Sequence, residues 1–186
     1  MNRETYLTQL AGKLEVLFTE IGESLPPYRV TCGWPSKRAT ATNNKAIGQC
    51  FSPKASKDGT TELIVSMCID DPMEAAAILA HEMVHAAVGV SCGHKGPFRR
   101  VALAIGLEGK MTSTHAGETF KQRVAPMLQE LGDYPHAALD PSVARKKDGT
   151  RLVKAACPEC GYTVRITRKW LDVAIPRCPV DECEMT

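Results

Sequence analysis

His81, Glu82 and His85 form the pattern H-E-x-x-H. In an α-helix, residues four apart lie on the same face one turn apart, so both imidazoles can reach a single metal ion. A glutamate beside the first histidine can take a proton from water, as in zinc-dependent hydrolysis. The pattern therefore predicts a catalytic zinc with Glu82 as general base. The alternative is a pair of hydrogen-bonded histidines in the core.

Catalytic zinc usually has three protein ligands and leaves a fourth position for water. His94 lies in the glycine-flanked segment 91–98, which can fold back over the end of the helix, and it is the predicted third ligand. Eight residues separate His94 from His85, whereas metzincins have five at this point. A glutamate from the following segment, Glu108 or Glu118, is the alternative third ligand.

The remaining histidines and four of the cysteines lack ligand spacing. His115 and His136 are predicted to be surface or capping residues, and His115 could also face a substrate. Free cysteines are commonly buried as small apolar residues, so no chemistry is predicted for the other four: Cys32, Cys50, Cys68 and Cys92.

Four cysteines near the C-terminus have the spacing of metal ligands: Cys157, Cys160, Cys178 and Cys183. They form a C-x2-C and a C-x4-C pair with 17 residues between them, which is close to the pattern of a zinc ribbon. Four thiolates complete a tetrahedron and leave no position for water, so this second zinc is predicted to be structural. Disulfides are the alternative, which a reducing cytosol disfavours.

Nine positively charged residues lie between positions 145 and 177, with two aromatic residues among them. Basic surfaces that carry aromatic side chains suit phosphate contact and base stacking. The sequence therefore predicts a nucleic-acid contact through Arg165, Arg168, Lys169 and Trp170. The alternative is a solvated surface, since acidic residues are interspersed with the basic ones.

Local patterns predict the elements that position these residues. A helix with one apolar stripe runs from Leu7 to Leu25, where prolines end it. A second helix begins after the N-cap candidate Asp71, carries H-E-x-x-H and stops near Gly89. Two further helices are predicted at 97–107 and 119–131. The β-prone runs are 28–32, 46–51 and 62–68 in the first part of the chain and 162–166 and 170–174 between the cysteine pairs.

Composition and length favour a globular protein of 186 residues, with 44% apolar and 24% charged residues. The predicted fold class is α+β, a small antiparallel sheet packed on helices that carry the zinc site, followed by a zinc ribbon. The predicted organisation is a domain at 1–133, an exposed linker at 134–150 and the ribbon at 151–186.

Charge and hydropathy bear on where the protein acts. A net charge of +2 is too small to indicate nucleic-acid or membrane binding by itself. No run of about 18 apolar residues suggests a membrane span, and Met1–Leu10 lacks the apolar run of an export signal. We therefore expect a monomeric, cytoplasmic protein without a membrane partner. Association with a nucleoid and location in a host's cytoplasm are the alternatives for where it acts.

The joint order of these motifs resembles a known family. The chain is similar to the SprT-like metallopeptidases, the family that includes Spartan. The resemblance rests on the segment His81–His85, on His94-Lys95-Gly96-Pro97-Phe98 at the start of the next helix, and on a C-terminal ribbon. Lys95 adds one residue to the family's H-G-P pattern.

The resemblance implies zinc ligation by His81, His85 and His94 and a catalytic role for Glu82. It also implies a protein substrate, since Spartan members are DNA-dependent proteases that degrade proteins crosslinked to DNA, and therefore DNA as a partner. The alternative function is a catalytically idle zinc protein that binds nucleic acid or a transcription complex through its ribbon.

Overall fold

The computed structural model describes residues 1–38, 45–141, 143 and 152–186. The chain forms two compact units, Met1–Pro141 and Ser142–Thr186, and each has its own buried core. The fold is mixed α+β, with helices and small sheets. Within the described ranges, no helix is long and apolar enough to cross a membrane.

The described part of the first unit alternates between helices and short strands. In chain order these are α1 (Arg3–Thr19), β1 (Tyr28–Gly33), β2 (Gly48–Phe51), β3 (Thr61–Ser66), α2 (Pro72–Val88), α3 (Gly96–Ala104), β4 (Leu107–Lys110), β5 (Ser113–Ala116) and α4 (Glu118–Leu131). Short 3-10 turns occur at Pro53–Ala55 and Val90–Cys92. The four predicted helices and the first three predicted strands are all present, and most of them, but not α2, have different ends.

The first sheet has the strand order β1-β3-β2 and is mixed. Leu63 in the central strand pairs with Val30 of β1 in parallel and with Cys50 of β2 in antiparallel orientation. The prediction of an antiparallel sheet is therefore wrong for one of its two strand pairs. Strand β2 runs back between β1 and β3 in the sequence, so β1 and β3 run in the same direction and pair as neighbours in parallel orientation.

Helix α1 ends six residues before the predicted stop at Leu25. Gly22 adopts φ +76°, and the N–H of Glu23 donates to the carbonyl of Phe18 at 2.9 Å. This is the hydrogen bond of a Schellman motif, in which a left-handed glycine closes the helix. The stop is therefore set by Gly22, upstream of the prolines.

Helix α2 has the predicted start and stop. The side chain of Asp71 accepts a hydrogen bond from the N–H of Glu74 at 2.7 Å, Pro72 occupies the first helical position, and Gly89 follows the helix with φ +86°. Almost every residue from Ala75 to His85 is buried. A helix of this kind lies inside the unit and can hold its polar side chains rigidly.

Helix α3 is shorter than predicted and a hairpin follows it. Gly106, at φ +91°, ends the helical segment, and Leu107 begins β4. Strands β4 and β5 pair in antiparallel orientation, with Glu108 opposite His115. The predicted helix at 97–107 is therefore wrong in its last turn, and this hairpin was not predicted.

The described part of the second unit is a two-stranded antiparallel sheet and one helical turn. Its elements are β6 (Leu152–Ala156), β7 (Thr163–Thr167) and α5 (Arg168–Leu171). The predicted strand at 162–166 is confirmed, but the one at 170–174 is wrong, because α5 begins directly after β7. The small core contains Ala155, Cys157, Cys178 and Met185.

Part of the predicted linker belongs to the first unit. The N–H of Leu139 donates to the carbonyl of Met67 at 2.8 Å, and the N–H of Ala138 donates to Asp70 at 3.2 Å. Residues 134–141 are therefore attached to the segment that follows β3. The rest of the predicted linker, including the basic run 145–147, lies outside the described residues apart from Val143.

Candidate active site and metal centres

Three histidine side chains converge at the end of α2. Nε2 of His94 lies 3.2 Å from Nε2 of His81 and 3.2 Å from Nε2 of His85. Zinc–nitrogen bonds of about 2.0–2.1 Å in a tetrahedron place ligand nitrogens roughly 3.3–3.4 Å apart. These two distances are close to the spacing of ligands around one tetrahedral metal ion, and ligand atoms of all three histidines lie within 4.8 Å of one another.

Local chain geometry explains how His94 reaches the helix. Gly89 and Gly93 both have positive φ, +86° and +58°, and a 3-10 turn separates them. This double reversal returns the chain over the end of α2 within a few residues. The predicted third ligand is thus brought to the other two histidines.

The ring of Phe98 packs against all three imidazoles. Its centroid lies 4.8 Å from that of His81, 4.5 Å from that of His85 and 4.9 Å from that of His94. Phe98 is fully buried at the start of α3. It therefore restricts the orientation of the whole histidine cluster from one side.

Burial makes these histidines neutral. Burial and the neighbouring His85 and His94 lower the pKa of His81 to about 3, and burial and His94 lower the pKa of His85 to about 4. Burial also lowers the pKa of His94. Because a metal binds the neutral imidazole, the cluster is ready to accept an ion at neutral pH.

Glu82 points away from the apolar core of α2 toward β2. Burial raises the pKa of Glu82 to about 8, while a hydrogen bond from the backbone N–H of Cys50 acts in the opposite direction. The side chain is 6% exposed. Gly48 leaves room for it, since a Cβ there would lie 2.4 Å from Oε1 of Glu82. A carboxyl group in such surroundings is suited to exchange a proton near neutral pH.

A cleft of about 500 Å³ opens onto the histidines and Glu82. One wall is β2, which lies at the edge of the three-stranded sheet, and another is the turn of the β4–β5 hairpin, residues 112–114. Thr114 contributes more than a wall, because its Oγ1 lies 2.7 Å from Nδ1 of His81. Because Nε2 of His81 faces the cluster centre, its Nδ1 carries the proton and donates a hydrogen bond to the oxygen of Thr114.

The alternative ligands lie elsewhere. The carboxylate of Glu108 packs against Gly117, and Glu118 pairs with Lys121 at 2.7 Å. Neither belongs to the group of potential metal ligands formed by the three histidines.

The other two histidines also lie outside the cluster. His115 is exposed, because neighbouring residues of a strand point to opposite faces and Thr114 takes the face toward His81. Nε2 of His136 lies 2.9 Å from the carbonyl of Met67, a structural contact.

A second group of potential ligands lies in the second unit. Donor atoms of Cys157, Cys160, Cys178 and Asp181 all lie within 4.8 Å of one another, so this group can hold a metal ion. Cys183, the predicted fourth ligand, is outside this group, although its Sγ lies 3.3 Å from Sγ of Cys157. All eight cysteines lie within the described residues and all are free thiols. The structure therefore does not support the alternative that these cysteines form disulfides.

The predicted nucleic-acid residues are exposed in the second unit. Arg165 lies on β7, directly opposite Lys154 on β6. Arg168, Lys169 and Trp170 form most of α5, with Nζ of Lys169 5.3 Å from the Trp170 ring centroid.

Comparison of the chain with protein-family models, with curated proteins and with solved structures found no match. The function must therefore be inferred from the two clusters and their surroundings.

Three residues of these sites were missed by sequence reasoning. Thr114 and Gly48 are distant in sequence from the residues they contact and carry no local signal. Asp181 does carry one, because Cys178-Pro179-Val180-Asp181 has the same spacing as Cys157-Pro158-Glu159-Cys160, with aspartate in place of cysteine.

Proposed function

We propose that this chain is a zinc metallopeptidase of the SprT-like kind, which hydrolyses peptide bonds in proteins associated with or crosslinked to DNA. The observation that carries the proposal is the convergence of three imidazoles, with Nε2 of His94 3.2 Å from Nε2 of both His81 and His85, beside a buried glutamate in an open cleft. Zinc is the proposed metal, since three neutral imidazoles with an open fourth position are typical of catalytic zinc.

A zinc ion held there supplies Lewis acidity, which activates water and polarises a carbonyl group. Glu82 takes the proton of the attacking water and delivers it to the leaving amine. Its raised pKa, caused by burial, suits it to both steps. A scaffold that only bound metal would not require a buried glutamate beside its ligands.

The proposal of a peptide substrate is supported by the position of β2. This strand lies at a sheet edge and lines the cleft along Gly48–Cys50, next to Glu82. An extended peptide can hydrogen-bond to an exposed strand edge, which places its backbone carbonyls beside the residues that hydrolyse them.

The test is cleavage of an unstructured DNA-binding protein by zinc-loaded wild type and Glu82→Gln, with and without single-stranded DNA. We expect the wild type to cleave and the variant, with the same zinc content, to be inactive. DNA stimulation would support the proposed substrate class, and cleavage without stimulation would support a general peptidase. Equal inactivity of both proteins, each with its full metal content and able to bind DNA, would favour the idle binding protein.

A nucleic-acid contact by the second unit is the second proposed function. Lys154 and Arg165 are both exposed and lie directly opposite each other on the sheet. Like charges in that position destabilise a strand pair, and an anionic ligand such as phosphate relieves the repulsion. Trp170, 57% exposed on the adjacent helical turn, offers a surface on which a base can stack.

Anisotropy of a labelled single-stranded oligonucleotide tests this contact. We expect Lys154→Gln with Arg165→Gln to weaken binding and to reduce its salt dependence, whereas Trp170→Ala weakens it with little change in salt dependence. Lys54→Gln with Lys57→Gln, two exposed lysines of the first unit, is the charge-matched control. Unchanged affinity in both ribbon variants would contradict the proposal.

A further inference from the structure

The cysteine cluster is built from two turns of the same design. The first runs Cys157-Pro158-Glu159-Cys160-Gly161 and the second Cys178-Pro179-Val180-Asp181-Glu182. In each turn, the fourth residue donates its backbone N–H to the sulfur of the first, at 3.4 Å for Cys160 and 3.5 Å for Asp181. Asp181 thus occupies the place in the second turn that Cys160 occupies in the first.

The residue after each of these positions is also equivalent. Gly161 has φ +76° and donates to the carbonyl of Cys157 at 3.0 Å, and Glu182 has φ +54° and donates to the carbonyl of Cys178 at 2.9 Å. Left-handed backbone is easy for glycine but unusual for glutamate. The second turn therefore keeps this conformation although its sequence does not favour it.

The next residue in each turn closes it in the same way. The N–H of Cys157 donates to the carbonyl of Tyr162 at 2.8 Å, and the N–H of Cys178 donates to the carbonyl of Cys183 at 2.8 Å. Cys183 is therefore the counterpart of Tyr162, which is not a metal ligand.

The two turns also have the same pattern of burial. The first residue of each turn is buried, with Cys157 3% exposed and Cys178 1% exposed. The fourth residue of each turn, Cys160 in the first and Asp181 in the second, is exposed. Two equivalent turns thus present one buried and one exposed donor each to a common centre.

Distances to the carboxylate fit a mixed ligand set. Oδ2 of Asp181 lies 3.3 Å from Sγ of Cys157 and 3.6 Å from Sγ of Cys178. Zinc bonds of about 2.3 Å to sulfur and 2.0–2.2 Å to oxygen place such atoms roughly 3.6 Å apart in a tetrahedron. Two thiolates on one zinc are expected roughly 3.8 Å apart. Sγ of Cys160 lies 3.5 Å from Sγ of Cys178, and the 3.3 Å between Sγ of Cys157 and Sγ of Cys183 departs further from the expected value.

We infer that Asp181, and not Cys183, is the fourth ligand of a structural zinc held with Cys157, Cys160 and Cys178. A carboxylate carries the same charge as the thiolate it replaces, so the net charge of the site is unchanged. Cys183 remains a free thiol beside the site. The inference rests on zinc binding at this cluster, which the cysteine spacing predicts, and is independent of the peptidase proposal.

Cobalt substitution of the 186-residue chain tests the ligand set. Thiolate-to-cobalt charge transfer arises only at the cysteine cluster, because the other site has imidazole donors. We expect Asp181→Asn to lower metal affinity, read from this band in competition with a chelator, by about 10-fold or more, and Cys183→Ser to stay within about threefold of wild type. The reverse order would overturn the inference.

Asp181→Cys provides a second test that does not depend on weakening the site. A fourth thiolate would raise the charge-transfer intensity per bound cobalt by about one third if three thiolates bind in the wild type. Unchanged intensity would mean that four thiolates already bind and would overturn the inference. Absence of the band in the wild type would remove the proposed zinc at this cluster, and the inference with it, while leaving Glu82-dependent cleavage unaffected.

Discussion

Gly48 on β2 lies directly against the carboxylate of Glu82 on α2. A Cβ at Gly48 would stand 2.4 Å from Oε1 of Glu82 and 2.7 Å from Cγ2 of Ile78. Both contacts are closer than atoms can approach, and α2 is too well packed to move away. The absence of a side chain at position 48 is therefore a condition for the position of the proposed base.

Gly48→Ala should displace the Glu82 carboxylate and leave the histidines in place. We expect peptidase activity to fall at least about 100-fold, the usual contribution of a positioned base, with zinc content unchanged. Kinetics and metal analysis on the same preparation measure both. Gly12→Ala is the control, because no atom lies within 4 Å of a Cβ at Gly12 in α1. Full activity of Gly48→Ala would show that the carboxylate tolerates displacement.

Thr114→Val should weaken zinc binding at the histidines. The hydrogen bond of 2.7 Å to Nδ1 of His81 fixes the tautomer and ring orientation, and loss of such a partner typically costs about 10- to 100-fold in metal affinity. Thr114→Ser keeps the hydroxyl and should restore affinity to near the wild-type value. Thr112→Val, on the same wall of the cleft, is the matched control.

The Thr114 series is measured by competition with a chelator, together with thermal melts of the metal-free proteins. Equal zinc affinity in Thr114→Val and Thr114→Ser would show that the hydroxyl has no role beyond packing.

Phe98→Leu should disturb all three histidines at once. We expect weaker zinc binding together with a loss of roughly 1 to 3 kcal/mol of folding stability from the smaller side chain. Phe120→Leu is the control, since Phe120 is equally buried and, within the described ranges, has no ring contact with a histidine. Its stability should fall by a similar amount while zinc affinity is retained. Equal effects of both variants on zinc affinity would contradict a specific role for Phe98.

Metal-free protein should lose stability as the pH falls from about 6.5 toward 4. Unfolded histidines take up protons near pH 6.5, whereas folded His81 and His85 remain neutral down to about 3 and 4. The unfolded histidines therefore bind more protons than the folded ones in this range, which lowers the free energy of unfolding as the pH falls. The Glu82 carboxyl, whose pKa burial raises to about 8, acts in the opposite direction and offsets part of this loss.

Urea titrations between pH 7 and pH 5, followed by helical circular dichroism, measure this change. We expect the two histidines to contribute a decrease of roughly 3 to 4 kcal/mol, read as the difference in pH dependence between the metal-free wild type and His81→Gln with His85→Gln. The variant, which keeps Glu82, should show no decrease over the same range. An identical pH dependence in both proteins would assign the effect to other groups.

The sequence predicted best what depends on short spacing. His81, Glu82 and His85 share one helix, and Asp71 and Gly89 fix its ends, so their convergence follows from helical geometry alone. His94 required one more step, a glycine-rich reversal visible in the sequence.

Contacts between distant segments could not be predicted in the same way. Thr114 contacts His81 across 33 residues, through a hairpin whose four-residue strands, LEGK and STHA, show no alternation of apolar and polar residues in the sequence. The direction of β1 relative to β3 is likewise set by how β2 packs and not by any local pattern. Asp181 differs, since its C-P-x-D pattern is visible in the sequence, although ligand type alone favours the nearby Cys183.

The donor atoms of the two clusters react differently with peroxide. Thiolates are oxidised to sulfenic acid and disulfides, whereas imidazole nitrogens are resistant. A free thiol at Cys183, 3.3 Å from Cys157, is well placed to trap an oxidised Cys157 as a disulfide and thereby remove a metal ligand. Oxidative stress would then disable the second unit first, and the proposed peptidase would lose the module proposed to hold it on nucleic acid while its histidine cluster stayed intact.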